Sequence, residues 1–388
     1  MRKSMQSLLA IGLFVSLAAG ITMPSWGQSA SSGTGASTQP AKASVKIGFV
    51  MNLTGAGQVY GSDQKAGFEI AVEEINRSGG VNGARIEAVY RDPASEPKQA
   101  VTAFEELIKR EKVIAIIGPT SSAEAFQADP LAMKEKIPVI PTSNNGKGIP
   151  QIGEYVHRYS VPEEELLPSV ARKAVEVFGL KRVAIMYAAE DPFTVTGYEA
   201  FKKGFESTKA QIVATEAYSS KDADFSPQLT KIKGLNPDAI AIIGYAEDGA
   251  AIATQARNLG IKARFIGNAG FSSPQVIKLA GKAAEGSISG TVWSVDDPEP
   301  ANVAFVKVFQ AKFNRAPGPF AAQAYNTVYF VAAALKKAGR NSSEDLQKAL
   351  LSMTTFKKLG IPITMRNRSG FGSAIILEVK DGKFVPIK

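Results

Sequence analysis

The sequence predicts an α/β protein with largely parallel sheets, and three observations predict it. Short apolar runs alternate with amphipathic helical stretches along most of the chain, the rhythm of successive strand–helix–strand units. The run Val113-Ile-Ala-Ile-Ile117 has no polar alternation, which suits a parallel strand covered by helices on both faces. The rhythm also breaks and restarts near 158–165, so two such series are expected rather than one.

The first series has strand-like runs at 45–51, 85–90, 113–117 and 137–140, and the second at 182–187, 211–218, 238–244 and 263–267. Between the first two runs, Phe68, Ala71, Val72 and Ile75 recur at i, i+3, i+4 and i+7, one apolar stripe of a helix that should stop at Ser78-Gly79-Gly80. The segment from Arg158 to Glu165 reads as a strand crossing between the series and entering a new helix. A second break is expected at 286–300, followed by helices at 301–314 and 317–338, the latter closing at Gly339. A third helix should begin at Ser342-Ser-Glu-Asp345, where hydroxyl caps precede acids. The chain should end in a hairpin with Asp381-Gly382 at its turn. At the other end, Arg2 and Lys3, the apolar stretch Leu8 to Ile21 and the small residues of Ser25-Trp-Gly27 read as a secretory leader over 1–27. Residues 28–43, rich in Ser, Gly, Ala and Thr, read as a flexible tether.

Composition narrows the chemistry. The 388 residues are 45% hydrophobic and 21% charged, enough to bury sizeable cores and too apolar for wholesale disorder. Without cysteine there is no disulfide, thiolate metal site, cysteine nucleophile or acylated anchor, and with one histidine no histidine-rich metal site. Losing Arg2 and Lys3 with the leader would take the formal charge from +9 to +7, and the remaining cations are scattered among acids, the pattern of a solvated surface rather than a nucleic-acid interface. No later segment reaches about 18 unbroken apolar residues.

Candidate sites follow from strand ends. Gly55-Ala-Gly57-Gln-Val-Tyr-Gly61 follows the first strand, but its spacing is not G-x-G-x-x-G, and the acid expected about twenty residues on is missing, since the second strand ends near Asp92. A nicotinamide-dependent oxidoreductase is therefore the weaker reading, and a loop lining a cleft the stronger. Gly118-Pro-Thr-Ser-Ser122 and Pro141-Thr-Ser-Asn-Asn145 stand at the carboxyl ends of adjacent strands. Hydroxyls and free N–H groups at a helix start form an anion site, although the same residue types also serve as plain helix caps. His157 reads as structural, and the acids Glu190, Asp191, Glu247 and Asp248 have no spacing that marks a hydrolase pair.

From about residue 45 to the end, the chain resembles the periplasmic leucine/isoleucine/valine-binding proteins, type I solute-binding subunits of ATP-driven importers. The likeness is carried by Leu53-Thr-Gly55 with Tyr60-Gly61, Ala71-Val-Glu-Glu-Ile-Asn76 with Gly79-Gly80, and Asp92-Pro93 with Lys98-Gln-Ala-Val101. Ile117-Gly-Pro119 with Ser121-Ser122, Gln255-Ala-Arg257 with Gly260, and Ala283-Ala-Glu-Gly286 complete the set. It implies two Rossmann-like lobes joined by three crossings that close on a ligand like a flytrap. Lobe 1 would be 44–162 plus 291–366, and lobe 2 would be 163–290 plus 367–388. It further implies a monomeric periplasmic binding protein that is not an enzyme, takes no cofactor or metal, and hands its ligand to an inner-membrane permease.

The resemblance places the ligand carboxylate at Ser122, beside Ser121, and at Ser143 and Asn145. Aromatic contacts fall on Tyr60, Phe193, Tyr245 and Phe320, with Phe271 expected nearby. The acid that neutralises the ligand's amino group falls on Ala269, a departure that leaves Glu163, Glu190, Glu247 or Asp248 to meet an ammonium from another direction. Burying an ammonium without a partner costs several kcal/mol. The expected ligand is accordingly an aromatic or apolar organic acid, with a branched-chain or other hydrophobic amino acid as the alternative.

Overall fold

The computed structural model describes residues 43–387, so the expected leader, and the expected tether up to residue 42, lie outside the described residues. The first series forms a four-stranded parallel sheet in the order β2-β1-β3-β4, from β1 (Ser44–Val50), β2 (Arg85–Arg91), β3 (Ile116–Ile117) and β4 (Val139–Ile140). Its helices are α1 (Gln58–Arg77), α2 (Pro97–Glu105) and α3 (Ser122–Lys134). The predicted stripe of α1 is buried, and the helix ends where Gly79 and Gly80 take φ values of 99° and 79°. The glycine loop before α1 is explained by packing. A Cβ on Gly61 would stand 1.9 Å from the Asn52 carbonyl oxygen, so only glycine lets the helix sit this close to the end of β1.

The second series begins with α4 (Glu163–Phe178) and continues through β5 (Arg182–Ala188), α5 (Pro192–Glu206), β6 (Gln211–Tyr218) and α6 (Ser226–Leu235). It then runs through β7 (Ala239–Ile243), α7 (Ala246–Asn258), β8 (Arg264–Gly267), α8 (Pro274–Ala280) and β9 (Ile288–Thr291). After α9 (Pro300–Phe313), α10 (Pro319–Ala338) and α11 (Ser343–Leu351) come β10 (Thr355–Lys358), β11 (Ile361–Arg366), β12 (Ser369–Phe371), β13 (Ile375–Lys380) and β14 (Lys383–Pro386). The large sheet has the order β14-β13-β9-β8-β7-β5-β6, parallel from β9 to β6 with the terminal hairpin antiparallel at one edge. The hairpin turns at Asp381 and Gly382, both at positive φ (51° and 69°), as expected for Asp-Gly.

Three differences from the sequence reading concern the joins. The stretch 286–300 is not only a break, because β9 lies inside it, paired with β8 and β13. The run 113–117 follows β1 from Ile114, whose N–H bonds Lys46, but its ladder is regular only at Ile116–Ile117. The antiparallel sheet β10-β11-β12 was not foreseen, and it runs on to Phe371. The chain thus passes between the two larger sheets three times: before α4, after β9, and between β12 and β13. The first and third passages touch through a parallel bridge between Arg158 and Ser369. α10 packs along α1, so the helices that follow the second passage return to the smaller sheet's layer.

Candidate ligand-binding cavity

Where the carboxyl ends of the two sheets face each other, Tyr60, Thr120, Ser121, Ser122, Ser143, Phe193, Tyr245, Gly270 and Phe320 line a cavity of about 20 Å³. That is space for about one water molecule, so a ring or a branched chain enters only as these walls part. Thr120 and Ser121 follow β3, Ser122 opens α3, and Ser143 follows β4; across the gap, Phe193 opens α5, Tyr245 caps α7 and Gly270 lies in the turn after β8. This is the crevice beyond strand carboxyl ends where open α/β sheets bind ligands.

The polar wall is unequal in what it offers. Ser121 caps α3, its Oγ accepting the Glu124 N–H while its own N–H donates to the Glu124 carboxyl group. Ser143 Oγ donates to the Thr120 carbonyl at 2.9 Å and accepts from Gln64 Nε2 at 2.7 Å, and Thr120 Oγ1 donates to Gln64 Oε1 at 2.8 Å. Ser122 differs. Its Oγ accepts the Gly146 N–H at 3.1 Å, while its proton and its own N–H have no acceptor among the described residues. A hydroxyl and an N–H at the start of a 13-residue helix are thus left to meet an anion.

The rest of the wall is aromatic, with Tyr60 and Phe320 from the smaller sheet's side and Phe193 and Tyr245 from the larger. The Tyr60 ring lies edge-on to Phe320 at 4.6 Å and 5.8 Å from Tyr245, which lies 5.6 Å from Phe193. Tyr60 Oη accepts the Ala246 N–H at 2.6 Å and donates to the Gly270 carbonyl at 3.2 Å, joining the two sides directly. Tyr245 Oη donates to Asp191 Oδ2 at 3.1 Å, while Asp191 Oδ1 accepts the N–H groups of Phe193 and Thr194. Burial pushes both phenols well above their usual range, so they stay neutral.

No Asp, Glu, Lys or Arg is in this wall. Glu163 stands behind it, buried, accepting the Ala269 N–H at 3.2 Å with its second oxygen unpartnered; burial pushes its carboxyl up to about 8. Glu190 is turned to Ser219 and Ser220, while Asp191, Glu247 and Asp248 line the mouth outside. Burial also raises Asp248, to about 6.

Seven of the ten residues expected at the ligand are in the wall; Asn145, Ala269 and Phe271 are not. The Asn145 carbonyl accepts the Glu163 N–H at 3.3 Å, and this residue lies behind the wall, 3% exposed. Residues 269–272 form one 3₁₀ turn, in which successive side chains point about 120° apart. Gly270 therefore faces the cavity, while Ala269 meets Glu163 and the Phe271 ring lies against Gly249 and Gly267. Thr120 and Gly270 were missed, although both sit inside motifs the sequence singled out; the signal was a strand-end hydroxyl and a residue with no side chain to block the space. His157 is buried with Nε2 2.7 Å from Gln347 Oε1, and burial pushes its pKa down to about 4. It ties the first passage to α11, a structural role.

The profile of the family described as periplasmic binding protein matches residues 44–383. The leucine-, isoleucine-, valine-, threonine- and alanine-binding protein of Pseudomonas aeruginosa is 28% identical over 320 residues, 82% of this chain and 85% of that protein. A leucine-binding protein from Thermotoga maritima superposes with a TM-score of 0.84 at 28% identity, over 89% of this chain and 98% of its own. A solute-binding protein of Rhodopseudomonas palustris, solved with 3,4-dihydroxybenzoic acid, shares the fold with a TM-score of 0.80 at 24% identity, over 89% of this chain and 96% of its own. With the two-lobed parallel α/β architecture and the cavity between its sheets, this match places the chain in the family of type I periplasmic binding proteins, the solute-binding components of ABC transporters.

Proposed function

We propose that this chain is exported to the periplasm, works there as a monomer, and delivers a small carboxylate with an aromatic or apolar body to an inner-membrane permease. The observation that carries the ligand class is the charge distribution of the cavity. One helix start offers a hydroxyl and an N–H to a carboxylate, rings surround the rest, and no carboxylate side chain is in the wall to meet an ammonium. Ser122 holds the carboxylate and the rings of Tyr60, Phe193, Tyr245 and Phe320 hold the body. The three passages between the sheets serve as the hinge, and closure brings Tyr60 to Ala246 and Gly270. The fold takes such an acid in the R. palustris protein, whose likeness extends to the fold alone.

The second reading is a branched-chain amino acid. Two observations favour it: the names of the P. aeruginosa and T. maritima relatives, and the unpartnered oxygen of Glu163 one residue behind Gly270. Calorimetric titration with benzoate, 4-hydroxybenzoate, L-leucine and L-isoleucine separates the two. Heats from the benzoates with weaker or absent heats from the amino acids are expected; micromolar leucine binding with silent benzoates would overturn the aromatic-acid reading.

A further inference from the structure

Two successive peptide units near the cavity, on either side of Gly146, are held from three directions. The Gly146 N–H donates to Ser122 Oγ at 3.1 Å, its carbonyl accepts from Arg158 Nη1 at 2.7 Å, and the Lys147 N–H donates to Thr196 Oγ1 at 2.9 Å. Ser122 belongs to the proposed anion site and Thr196 to α5, on the large sheet across the cleft. Arg158 lies on the first passage, 3% exposed, with Nε and Nη2 reaching Ser369 Oγ on the third at 3.1 and 2.9 Å. The Arg158 carbonyl accepts the Gly370 N–H at 2.8 Å, so the two passages are fixed to each other at this guanidinium.

We infer that the backbone from the Gly146 N–H to the Lys147 N–H couples the anion site to closure of the cleft, and that Arg158 is the positioning residue that makes the coupling possible. The inference rests on Ser122 as the carboxylate-binding group, whatever the ligand's body. A carboxylate at Ser122 orders the Gly146 end of this backbone, and the approach of α5 orders the Lys147 end. Arg158 fixes the carbonyl between them against the hinge, so strain introduced at one end reaches the other instead of dissipating in the loop. A planar guanidinium can hold Gly146 and Ser369 at once, whereas an ammonium is a point donor on a flexible stem.

The test is a double-mutant cycle in binding. Ser122→Ala and Thr196→Val share no partner, and independent sites of that kind combine to within about twofold in Kd. Coupling through this backbone predicts a departure of about fivefold or more, which disappears in Arg158→Lys and in Ser369→Ala. Ser369→Ala keeps Arg158 and its Gly146 bond, so it remains informative if Arg158→Lys folds poorly. The cycle is run with benzoate and with L-leucine, both of which carry a carboxylate. Leucine binding with silent benzoate would refute the aromatic reading while leaving the cycle readable. Additivity for the ligand that binds would overturn the coupling, as would coupling that survives both hinge substitutions.

Discussion

On the side of the smaller sheet, the cavity wall consists of hydroxyls and N–H groups with the rings of Tyr60 and Phe320 beside them; on the side of the larger sheet, of the rings of Phe193 and Tyr245 and one glycine. Both sides are built the same way, from strand ends running into helix starts. The difference lies in who holds the first N–H groups of each helix. On α5, Asp191 takes those of Phe193 and Thr194, and on α7 the Tyr60 hydroxyl takes that of Ala246. α3 keeps free donors in its first turn, at Ser122 and Ala123, while those left on α7, at Glu247 and Asp248, belong to residues of the acid-lined mouth. Three helix dipoles thus point toward one space, and the occupancy of their first turns decides which can hold an anion. On the proposed reading a carboxylate sits at the start of α3, and the rings select by shape.

The largest expected effect breaks this comparison from behind the aromatic wall, at Glu163. Its carboxyl holds a proton up to about pH 8 in the folded protein, against an ordinary value near 4.5. The folded state therefore binds the extra proton between those values. Stability from this group is fully present below pH 4.5, declines by about 1.4 kcal/mol per pH unit as pH rises, and is flat above 8. Glu163→Gln keeps an acceptor for the Ala269 N–H and removes the charge. It should stabilise the protein by up to about 3 kcal/mol at pH 7, with a gain that grows from pH 5 to 8. Denaturant titrations of both proteins at several pH values check this, and a gain independent of pH would refute it.

The next effect is at Ser122. Ser122→Ala removes a wall hydroxyl that opens α3 and whose proton has no acceptor among the described residues, and should weaken carboxylate binding by about 1.5 to 3 kcal/mol, roughly ten- to a hundredfold in Kd. Calorimetry with the carboxylate that binds reads it directly. Unchanged affinity would move the anion site elsewhere and remove the distinction between the two walls.

A smaller effect is expected across the cleft. Tyr245→Phe keeps the ring and loses only the bond to Asp191, so stability should fall by about 1 kcal/mol while affinity stays within a few-fold of wild type. A loss of affinity as large as that of Ser122→Ala would mean that the Tyr245 hydroxyl contacts the ligand, and that the facing wall selects by polarity after all.

Much of this architecture was legible because it rests on periodicity. The stripe of Phe68, Ala71, Val72 and Ile75, the unbroken apolar run to Ile117 and the turn at Asp381-Gly382 each state a local geometry in the residues themselves. β9 was hidden because Ile288-Ser-Gly-Thr291 is short and half polar, β10 and β12 because they are short and carry little apolar pattern, and β11 because Pro362 interrupts its alternation of Ile361, Ile363 and Met365. At the cavity, the strand-end motifs named loops that do line it and differed from the lining at the level of single side chains. Which residue of Ala269-Gly270-Phe271 faces the cavity depends on the phase of one 3₁₀ turn, and whether a serine proton is free depends on a carbonyl from another loop.

That last dependence gives the smallest and sharpest prediction. Ser143 and Ser122 stand in the same wall, follow adjacent strands and were equal candidates in the sequence, yet the Ser143 proton is engaged by the Thr120 carbonyl and its lone pairs by Gln64. A carboxylate needs a donor, and Ser143 can supply one only by abandoning Thr120. Ser143→Ala should therefore change carboxylate affinity by less than about threefold. It should still cost about 1 kcal/mol of stability, because Gln64 Nε2 keeps Thr142 Oγ1 at 3.0 Å and loses only its second partner. Measuring both quantities on the same variant separates the two roles. A tenfold loss of affinity at unchanged stability would show that the Ser143 hydroxyl turns to the ligand on binding, and that the anion site spans both loops rather than the start of α3 alone.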